Sequence, residues 1–412
     1  MSFIADFHVH SRYSRATSKD MDIPHIDRIA RLKGINLVGT GDFTHPLWLN
    51  DLKNALTPLG NGLYRWGATF FMLTAEVNNV FYKKGRNRKI HNIIFAPDFK
   101  VVEKVNKEIG KFGDLFSDGR PTLNMEAKHL IEVVLGVSEK AFVVPAHIWT
   151  PWFSLFGANS GFDSIEECFG DYTKYIYALE TGLSSDPAMN WRVSNLDKFT
   201  LISNSDAHSP SKLGREANVF SQKLDYEEIR NVFKEKDKDK FIYTIEFFPQ
   251  EGKYHYDGHR RCGLSFSPEE SRKCRNRCPK CGQALTVGVM HRVEDLGDKE
   301  KGFTPPGTIP FKRIIPLKEI IAKVLNQGVD TKGVKEKYRE IVQQLGGEFY
   351  VLLNAPYEEL TRFISPKIAE GVMRVREGRV KIKCGYDGVY GEINIFSEEE
   401  EKKEKGEQLN LF

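Results

Sequence analysis

The chain has 412 residues, of which 40% are hydrophobic, and its formal net charge at pH 7 is +4. This length fits more than one domain, and the apolar content is sufficient to build buried cores. The sequence contains no uncharged apolar run of about 18 residues and enters a strand-like run at Phe3, so we expect neither a membrane span nor a signal peptide. These features predict a cytoplasmic protein.

Seven short apolar runs in the first 210 residues carry a His, Asp or Glu at or near their ends. The runs span residues 3–10, 37–42, 71–76, 90–95, 142–147, 176–180 and 201–208. Segments of helical composition separate most of them, which predicts an α/β fold with buried parallel strands, as a β/α barrel or a wound sheet. Because the C-terminal ends of such strands meet at one mouth, we expect these polar side chains to converge there.

The converging side chains would be imidazoles and carboxylates, without an evident Ser or Cys nucleophile among them. Five of the 11 His residues occupy such positions: His8, His10, His91, His147 and His208. A single His at a strand end is usually a hydrogen-bonded polar residue, but five of them favour a site for Zn, Mn, Fe or Ni. Paired ions activate water and stabilise a leaving oxygen, so metal-assisted hydrolysis of a phosphoester is the first hypothesis.

Four short motifs occur in a fixed order along these runs: Asp-x-His-x-His at Asp6, His8 and His10, a Glu at Glu76, Pro-Ala-His at His147, and Ser-Asp-Ala-His at Asp206 and His208. Together they resemble the metal motifs of the polymerase and histidinol phosphatase (PHP) superfamily. The resemblance covers residues 1–248 and implies a catalytic domain folded as a distorted β/α barrel of about seven strands. It implies two or three divalent ions (Zn, Mn or Mg) held by His8, His10, Asp42, Glu76, His91, His147, Asp206 and His208, with Glu76 as a candidate bridge. The catalytic residues would be His8, His10, Glu76 and Asp206.

Two positions depart from the superfamily pattern. Where the superfamily has Thr-Asp-His after its second strand, this chain reads Thr40-Gly41-Asp42, so Asp42 stands in the place of a His. His45 could swing in instead, and we interpret it as a residue that supports the ligands, a role also open to Glu180. The ligand usually found a few residues after His10 has no match, which leaves the third ion open.

Four of the six Cys residues lie close together in the sequence: Cys262, Cys274, Cys278 and Cys281. The last two belong to Cys-Pro-Lys-Cys-Gly, which resembles a zinc knuckle, and four thiolates would complete the tetrahedral shell of one structural zinc ion. We therefore predict a zinc-binding module over residues 249–300. The least secure ligand is Cys274, which one of three imidazoles could replace: His255, His259 or His291.

The same module collects positive charge. From Gly252 to Arg292 there are nine Lys or Arg residues against three Asp or Glu residues. The cations that crowd the Cys residues are Arg260, Arg261, Arg272, Lys273, Arg275, Arg277 and Lys280. A charge run is more often a solvated face, but a rigid metal scaffold would hold these side chains on one small unit, which favours contact with DNA phosphates.

The rest of the chain gives weaker signals. Residues 302–307 read as a linker, residues 316–327, 333–345 and 358–376 as helices, and residues 380–396 as a hairpin that turns near Asp387-Gly388. We predict a mainly helical C-terminal region over residues 301–396. Residues 397–412 form a charged tail that should be disordered, and its end resembles a sliding-clamp peptide with Gln408, Leu411 and Phe412 as contacts. A frayed terminus is the alternative.

Residues 254–263 and 285–294, taken with the barrel, the basic module and the tail, resemble the endonuclease Q family over essentially the whole chain. The resemblance implies a DNA repair endonuclease, of a kind known mainly from archaea, that cuts the phosphodiester 5′ of hypoxanthine, uracil, xanthine and abasic sites. It implies damaged DNA and a sliding clamp as partners, no membrane, and a nucleoid-associated location in the cytoplasm.

The loop after His147, residues 148–161, holds four aromatic residues. We predict that two of them, Trp149 and Trp152, contact DNA by stacking on or wedging beside an extruded base. The alternative is that the aromatics only cover the barrel mouth. Two other functions remain open for the chain: a PHP-type small-molecule phosphatase, which has no use for a basic zinc module, and a non-catalytic scaffold, which predicts broken metal motifs.

Overall fold

The structure is a computed structural model that describes residues 2–396. The proposed clamp contacts Gln408, Leu411 and Phe412, like the rest of the charged tail, lie outside the described residues. Among residues 2–396, no helix has the length and apolarity that a membrane crossing requires.

The barrel, residues 3–246, alternates short strands with helices. Its strands are β1 (Phe3–Asp6), β2 (Leu37–Gly39), β3 (Thr57–Pro58), β4 (Tyr64–Trp66), β5 (Thr69–Lys83), β6 (Arg86–Ala96), β7 (Thr122–Leu123), β8 (Phe142–Pro145), β9 (Ala178–Glu180), β10 (Thr200–Ile202), β11 (Ala217–Phe220) and β12 (Phe241–Glu246). Its helices are α1 (Ile23–Lys33), α2 (Pro46–Ala55), α3 (Phe99–Ile109), α4 (Ala127–Val137), α5 (Ile165–Phe169), α6 (Pro187–Asn190) and α7 (Tyr226–Glu235). All seven predicted runs contain a strand, and the PHP-type α/β fold is confirmed.

The expectation that these strands all run parallel is wrong. The pairs β1–β2, β2–β5 and β9–β10 are parallel, but β5–β6, β6–β8 and β1–β11 are antiparallel. The reason is local: Lys84 and Gly85 connect β5 directly to β6, and both have positive φ angles, of 52° and 73°. Such a two-residue turn closes a hairpin and leaves no room for a crossover helix. The barrel is therefore distorted on the side that carries Glu76 and His91.

The predicted zinc-binding module follows the barrel and is small. It contains β13 (Asp257–His259), β14 (Leu264–Phe266), α8 (Pro268–Lys273) and α9 (Val289–Leu296). The strands β13 and β14 form an antiparallel pair around the turn that holds Cys262. Helix α8 begins with a capping box between Ser267 and Glu270, which satisfies the free amides of its first turn.

The C-terminal region is mainly helical, as predicted. Its elements are β15 (Phe311–Arg313), α10 (Leu317–Leu325), α11 (Lys332–Leu345), α12 (Glu348–Leu353), α13 (Tyr357–Phe363), α14 (Pro366–Arg376), β16 (Lys381–Lys383) and β17 (Glu392–Asn394). The predicted helix 358–376 is divided, because Pro366 starts a new helix that Ser365 caps. The predicted hairpin is present, with positive φ angles of 41° and 83° at Asp387 and Gly388.

The C-terminal region is packed against the barrel. Strand β15 pairs in parallel with β12 and so extends the barrel sheet. Buried Lys33 of α1 donates to the carbonyl of Leu213 at 2.6 Å and lies 3.7 Å from Glu348 of α12. One hydrophobic cluster includes side chains of the barrel, of α9 and of α10, α11 and α14. The three regions therefore share a core, and the predicted domain boundaries stay a prediction.

Candidate metal centre and substrate cavity

Two groups of ligand atoms lie at the barrel mouth and share Glu76. The first group has its ligand atoms within 4.8 Å of one another and consists of His8, His10, Glu76 and Asp206. The second group consists of Glu76, His91 and His147. The structure thus brings together six of the eight residues predicted to bind metal, including all four predicted catalytic residues, and Glu76 has the bridging place.

Three buried atoms of the first group have no hydrogen-bond partner among the described residues: His8 Nε2, His10 Nε2 and Asp206 Oδ1. His10 Nε2 lies 3.0 Å and His8 Nε2 3.7 Å from Asp206 Oδ1. The same two nitrogens lie 3.3 and 3.5 Å from Glu76 Oε2. Buried polar atoms without partners are costly, so a ligand is expected among them. The mixture of imidazole and carboxylate fits a divalent ion such as Zn or Mn.

Glu180 and Asp42 contact the imidazoles of His8 and His10 at Nδ1, the ring nitrogen that does not face the cluster. Both oxygens of Glu180 lie 3.0 Å from His8 Nδ1, and Asp42 Oδ1 lies 3.0 Å from His10 Nδ1. Each carboxylate places the imidazole proton on Nδ1 and directs the Nε2 lone pair to the cluster. Glu180 therefore has the supporting role considered for it.

The structure places Asp42, a predicted metal ligand, outside the ligand groups of residues 2–396, so its metal binding stays a prediction. Its Oδ2 accepts hydrogen bonds from the Ser11 amide at 2.6 Å and from the Ser11 and Ser14 hydroxyls at 2.7 and 2.9 Å. Asp42 Oδ1 contacts His10, and these three donors surround Oδ2. Asp42 is thus engaged by the residues around it.

The second ligand group has an imidazole that stays neutral. His91 Nδ1 lies 2.7 Å and His147 Nε2 3.0 Å from Glu76 Oε1. Burial lowers the pKa of His91 to about 4, so His91 is in the neutral form that binds metals. Burial alone would raise the pKa of Glu76, but His91, Arg120 and His8 outweigh it and hold that pKa well below its usual range.

Three residues at the site have a left-handed backbone conformation. Asp42, His147 and Asp206 have positive φ angles of 47°, 29° and 47°. Each follows the end of a strand within a few residues, at β2, β8 and β10. The left-handed conformation is uncommon for residues other than Gly, although Asn, Asp and His adopt it more often than the rest, and it recurs at functional sites. A Cβ at Gly182 would lie 2.4 Å from His147 Cβ, so only glycine fits beside this strained residue.

Two further candidates, His208 and His45, also lie outside the ligand groups found in residues 2–396. The His208 ring lies 4.4 Å from that of His10 at an interplanar angle of 43°, and its Nδ1 donates to the Asp206 carbonyl at 2.9 Å. His208 therefore borders the cluster. His45 does not swing in, because its ring stacks 4.6 Å from that of Tyr13 and its Nε2 lies 3.3 Å from the carbonyl of Phe116.

Sequence reasoning missed Arg120. Its Nη1 donates to Glu76 Oε2 at 3.1 Å, and its side chain lines the cavity beside the metal cluster. Arg120 lies in the segment between α3 and β7, 44 residues from Glu76, in no motif and in no apolar run. No signal in a single sequence distinguishes it from the other Arg residues of the surface.

A cavity of about 460 Å³ joins the metal cluster to the zinc-binding module. On the barrel side it is lined by His91, Arg120, His147 and Asp206, and on the other side by Lys253, Tyr254 and His255. Trp152 and Phe153 of the loop after His147 form a third wall. Trp152 is 43% exposed and lies where the prediction put a base-contacting aromatic.

The DNA-contact prediction for Trp149 is corrected. Trp149 is 1% exposed, its indole Nε1 donates to Asn190 Oδ1 at 2.7 Å, and its ring lies 4.9 Å from that of Phe156. It supports the loop from inside. Arg292 of α9 also fixes the loop, since its guanidinium donates to the carbonyls of Phe156 and Phe162, both at 3.2 Å.

The predicted zinc ligands come together with one exchange. Their ligand atoms lie within 4.8 Å of one another in the group His259, Cys262, Cys278 and Cys281. Cys274 is outside this group, and the prediction is corrected in favour of His259, one of the three named substitutes. Cys274 follows helix α8, whereas His259 ends β13 next to the Cys262 turn. The set of three thiolates and one imidazole is a usual shell for structural zinc.

All seven predicted DNA-contacting cations of the module are exposed. Several are engaged locally: Arg272 pairs with Glu294 and Asp295, and Lys273 pairs with Glu269. Within residues 2–396, three of the seven form neither an ion pair nor a side-chain hydrogen bond: Arg260, Arg261 and Arg275. These three are the cations with free charge for phosphate contacts.

Comparison with known proteins places these features in a family. The model of the MJ0043 C-terminal domain matches residues 316–379. The Methanocaldococcus jannaschii protein MJ0043 is 35% identical over 260 residues, which are 60% of this chain but only 31% of MJ0043. The Bacillus subtilis protein YqxK is 29% identical over 373 residues, 88% of this chain and 89% of YqxK.

Two solved structures resemble the chain over nearly its whole length. The lesion-specific endonuclease PfuEndoQ from Pyrococcus furiosus is 34% identical, with a TM-score of 0.87 over 97% of this chain and 96% of that one. Endonuclease Q in complex with a 27-mer duplex with an abasic lesion at the active site is 33% identical, with a TM-score of 0.85 over 97% of this chain and 98% of that one. By this likeness in sequence and structure, the chain belongs to the endonuclease Q family of metal-dependent DNA endonucleases.

Proposed function

We propose that this chain hydrolyses the DNA phosphodiester on the 5′ side of deaminated bases (hypoxanthine, uracil and xanthine) and of abasic sites. The observation that carries the proposal is the cavity that begins at the metal cluster and ends at the zinc-binding module. Its volume of about 460 Å³ suits a single nucleotide unit. A base held there must leave the duplex, which is easiest at a damaged or mispaired position.

The residues at the barrel mouth would hold two or three divalent ions. The first ligand group and the second supply the protein atoms, with Glu76 between them. Bound Zn, Mn or Mg ions would supply Lewis-acid stabilisation of the phosphate and a water of lowered pKa. Glu180 and Asp42 keep the protons of His8 and His10 on Nδ1, so that both Nε2 atoms stay available.

Arg120 would meet the negative charge of the scissile phosphate. Its guanidinium lines the cavity and donates one hydrogen bond to Glu76, which leaves further N–H groups for phosphate oxygens. Arg binds phosphate through two parallel hydrogen bonds, which fixes orientation as well as charge. The side chain is held in place before substrate arrives, as electrostatic stabilisation requires.

The wall of the cavity that Trp152 and Phe153 form would recognise the lesion. Trp152 and Phe153 offer ring faces to a base in the cavity, and the loop amides offer donors to the carbonyl that deamination creates. The exposed cations of the module, above all Arg261 and Arg275, would hold the DNA backbone. The zinc ion of the module would be structural and closed to substrate.

The remaining partners rest on the sequence. Gln408, Leu411 and Phe412 would dock into the groove of a sliding clamp, which would bring the enzyme to the nucleoid. A truncation after Phe396 tests this part alone: binding to the clamp should be lost, while cleavage of short duplexes should stay unchanged.

The decisive experiment is a denaturing-gel assay with end-labelled duplexes that carry one hypoxanthine, uracil or abasic site, with Mg²⁺ or Mn²⁺. We expect one cut immediately 5′ of the lesion and none on undamaged DNA. Asp206→Ala should abolish the cut, while Asp330→Ala, which removes a carboxylate with a 96% exposed side chain, should not. Absence of any metal-dependent cut, together with hydrolysis of small phosphomonoesters, would assign the site to a phosphatase instead.

A further inference from the structure

The segment between β16 and β17 presents an exposed aromatic residue, Tyr390, which is 66% exposed. This segment is fixed to the zinc-binding module. Asp387 accepts hydrogen bonds of 2.6 Å from the amide of Arg260 and from the hydroxyl of Thr286, and the Gly388 amide donates to the Lys253 carbonyl at 3.0 Å. Tyr390 is therefore held beside the module.

Lys253 and Tyr254 connect Tyr390 to the cavity. Lys253 Nζ lies 4.8 Å from the centre of the Tyr390 ring. The ring of Tyr254 lies 5.3 Å from that of Trp152, and a Cβ at Gly388 would lie 3.8 Å from both Tyr254 Oη and Arg260 Nη1. Lys253, Tyr254 and Trp152 also line the cavity. We call this continuous surface, formed by Trp152, Lys253, Tyr254, Arg260 and Tyr390, the aromatic-basic strip.

The chemistry of the strip fits unpaired nucleotides better than a duplex. A duplex hides the faces of its bases and offers phosphates, so exposed rings have nothing to stack on. Unpaired nucleotides offer both base faces and phosphates, and proteins bind them with rings and cations in alternation. Within residues 2–396, neither Lys253 nor Arg260 pairs with a carboxylate through its side chain. Their charges are available to a backbone that runs along the rings.

We propose that the aromatic-basic strip binds single-stranded DNA next to the nucleotide in the cavity, and that the enzyme opens the duplex around the lesion. The proposal rests on the proposed function, because the strip is continuous with the cavity assigned to the damaged nucleotide. Neighbouring nucleotides that stack on Tyr390 and Tyr254 cannot stay paired with the opposite strand. Their binding would offset the cost of unpairing.

The test uses the full chain with Asp206→Ala to stop cleavage, and measures fluorescence anisotropy of a labelled oligothymidylate. Tyr390→Ala should weaken binding at least about fivefold, since stacking on one ring contributes that much or more. Tyr390→Phe should retain it. The matched control is Tyr82→Ala, which removes a tyrosine that is 71% exposed near the tip of the β5–β6 hairpin and does not belong to the strip. Lys253→Gln provides a second variant if Tyr390→Ala lowers the melting temperature.

A second measurement places 2-aminopurine next to an abasic site in a duplex. Its fluorescence should rise when the protein binds, because unstacking removes quenching, and the rise should be smaller with Tyr390→Ala. Equal affinity and equal fluorescence for Tyr390→Ala and Tyr82→Ala would overturn the proposal, even if the parent cuts at lesions. If the strip variants lose oligothymidylate binding but the parent cuts no lesion, the proposed function fails and the strip stands.

Discussion

The metal centre buries its charged side chains together, whereas the zinc-binding module exposes its charged side chains to solvent. At the metal centre, carboxylates and imidazoles that are far apart in sequence are buried together, and three of their atoms lack a hydrogen-bond partner among the described residues. In the module, cations close in sequence stay exposed, and local carboxylates neutralise several of them. Burial of unpaired polar groups at the metal centre costs free energy unless a ligand binds them. The exposed ion pairs of the module change the free energy of unfolding little. The two regions should therefore respond differently to single substitutions.

The comparison predicts the largest effect at Glu76. Glu76→Gln removes the carboxylate shared by both ligand groups, so the cleavage rate should fall by more than about 100-fold. Loss of a residue that only hydrogen-bonds to a metal ligand typically reduces activity about 10–100-fold. Metal content measured by atomic emission should fall with it. The control is Glu269→Gln, an exposed carboxylate of α8 with a 76% exposed side chain. Unchanged metal content in Glu76→Gln would show that the ions bind elsewhere.

Substitution of a zinc ligand should have the next largest effect. It also tests whether His259, rather than Cys274, is the fourth ligand. Cys278→Ser should lose the zinc ion and unfold the module, because structural zinc supplies much of the folding free energy of such a unit. Cys274→Ser should keep one zinc per chain and the parent melting temperature. Atomic emission measures the zinc content of each variant, and calorimetry measures its melting temperature. Zinc loss in both variants would restore the shell of four thiolates.

A smaller effect at the metal centre concerns Asp42. Asp42→Asn should reduce metal affinity and cleavage about 10–100-fold, because an amide can donate to His10 Nδ1 and move the imidazole proton to Nε2. Asp51→Asn, which removes an exposed partner of Arg12, is the matched control. Calorimetric titration with Mn²⁺ measures the affinity. Complete loss of one ion, rather than weaker binding, would make Asp42 a ligand after all.

Much of this site could be predicted because strand ends leave a pattern in the sequence. His8, His10, Glu76, His147 and Asp206 follow or lie within apolar runs, and the barrel brings these runs to one mouth although some of the strand pairs are antiparallel. The pattern does not tell which oxygen or nitrogen points inward, so it does not separate metal ligands from residues behind them, such as Asp42 and Glu180. Arg120 lies in a loop without periodicity, and Trp149 differs from Trp152 only in burial. Those distinctions depend on long-range packing, which no local pattern records.

The module should show milder effects that depend on whether a cation already has a partner. Arg275→Ala removes an exposed charge without an ion pair in residues 2–396, so the slope of log affinity for DNA against log salt should decrease by about 1. Arg272→Ala should change it less, because Glu294 and Asp295 already neutralise that side chain. Anisotropy titrations at several salt concentrations measure both. Equal slopes for the two variants would contradict the distinction.

The last prediction concerns the pH dependence of stability and a pair of carboxyl groups behind the metal centre, where Glu246 and Glu216 are fully buried. Burial raises the pKa of Glu246 to about 7, and burial and the nearby Glu246 raise that of Glu216 well above its usual range. Glu246 accepts hydrogen bonds from the hydroxyls of Thr244, at 2.5 Å, and Thr181, at 3.2 Å, and also from Ser203. Glu246 and Glu216 therefore keep their protons at pH values at which the carboxylates of the metal site are ionised.

The sign of the pH dependence follows from the raised pKa. Between pH 4.5 and about 7 the folded chain binds a proton at Glu246 that the unfolded chain releases, so the parent loses stability as pH rises through this window. Glu246→Gln cannot lose that proton, and its free energy of unfolding relative to the parent should improve by up to about 3 kcal/mol from pH 4.5 to pH 8. Urea unfolding at both pH values measures the difference. Glu227→Gln, an exposed carboxylate of α7, should show no such trend. A difference that stays constant with pH would mean that Glu246 is ionised inside the fold, as the metal-site carboxylates are.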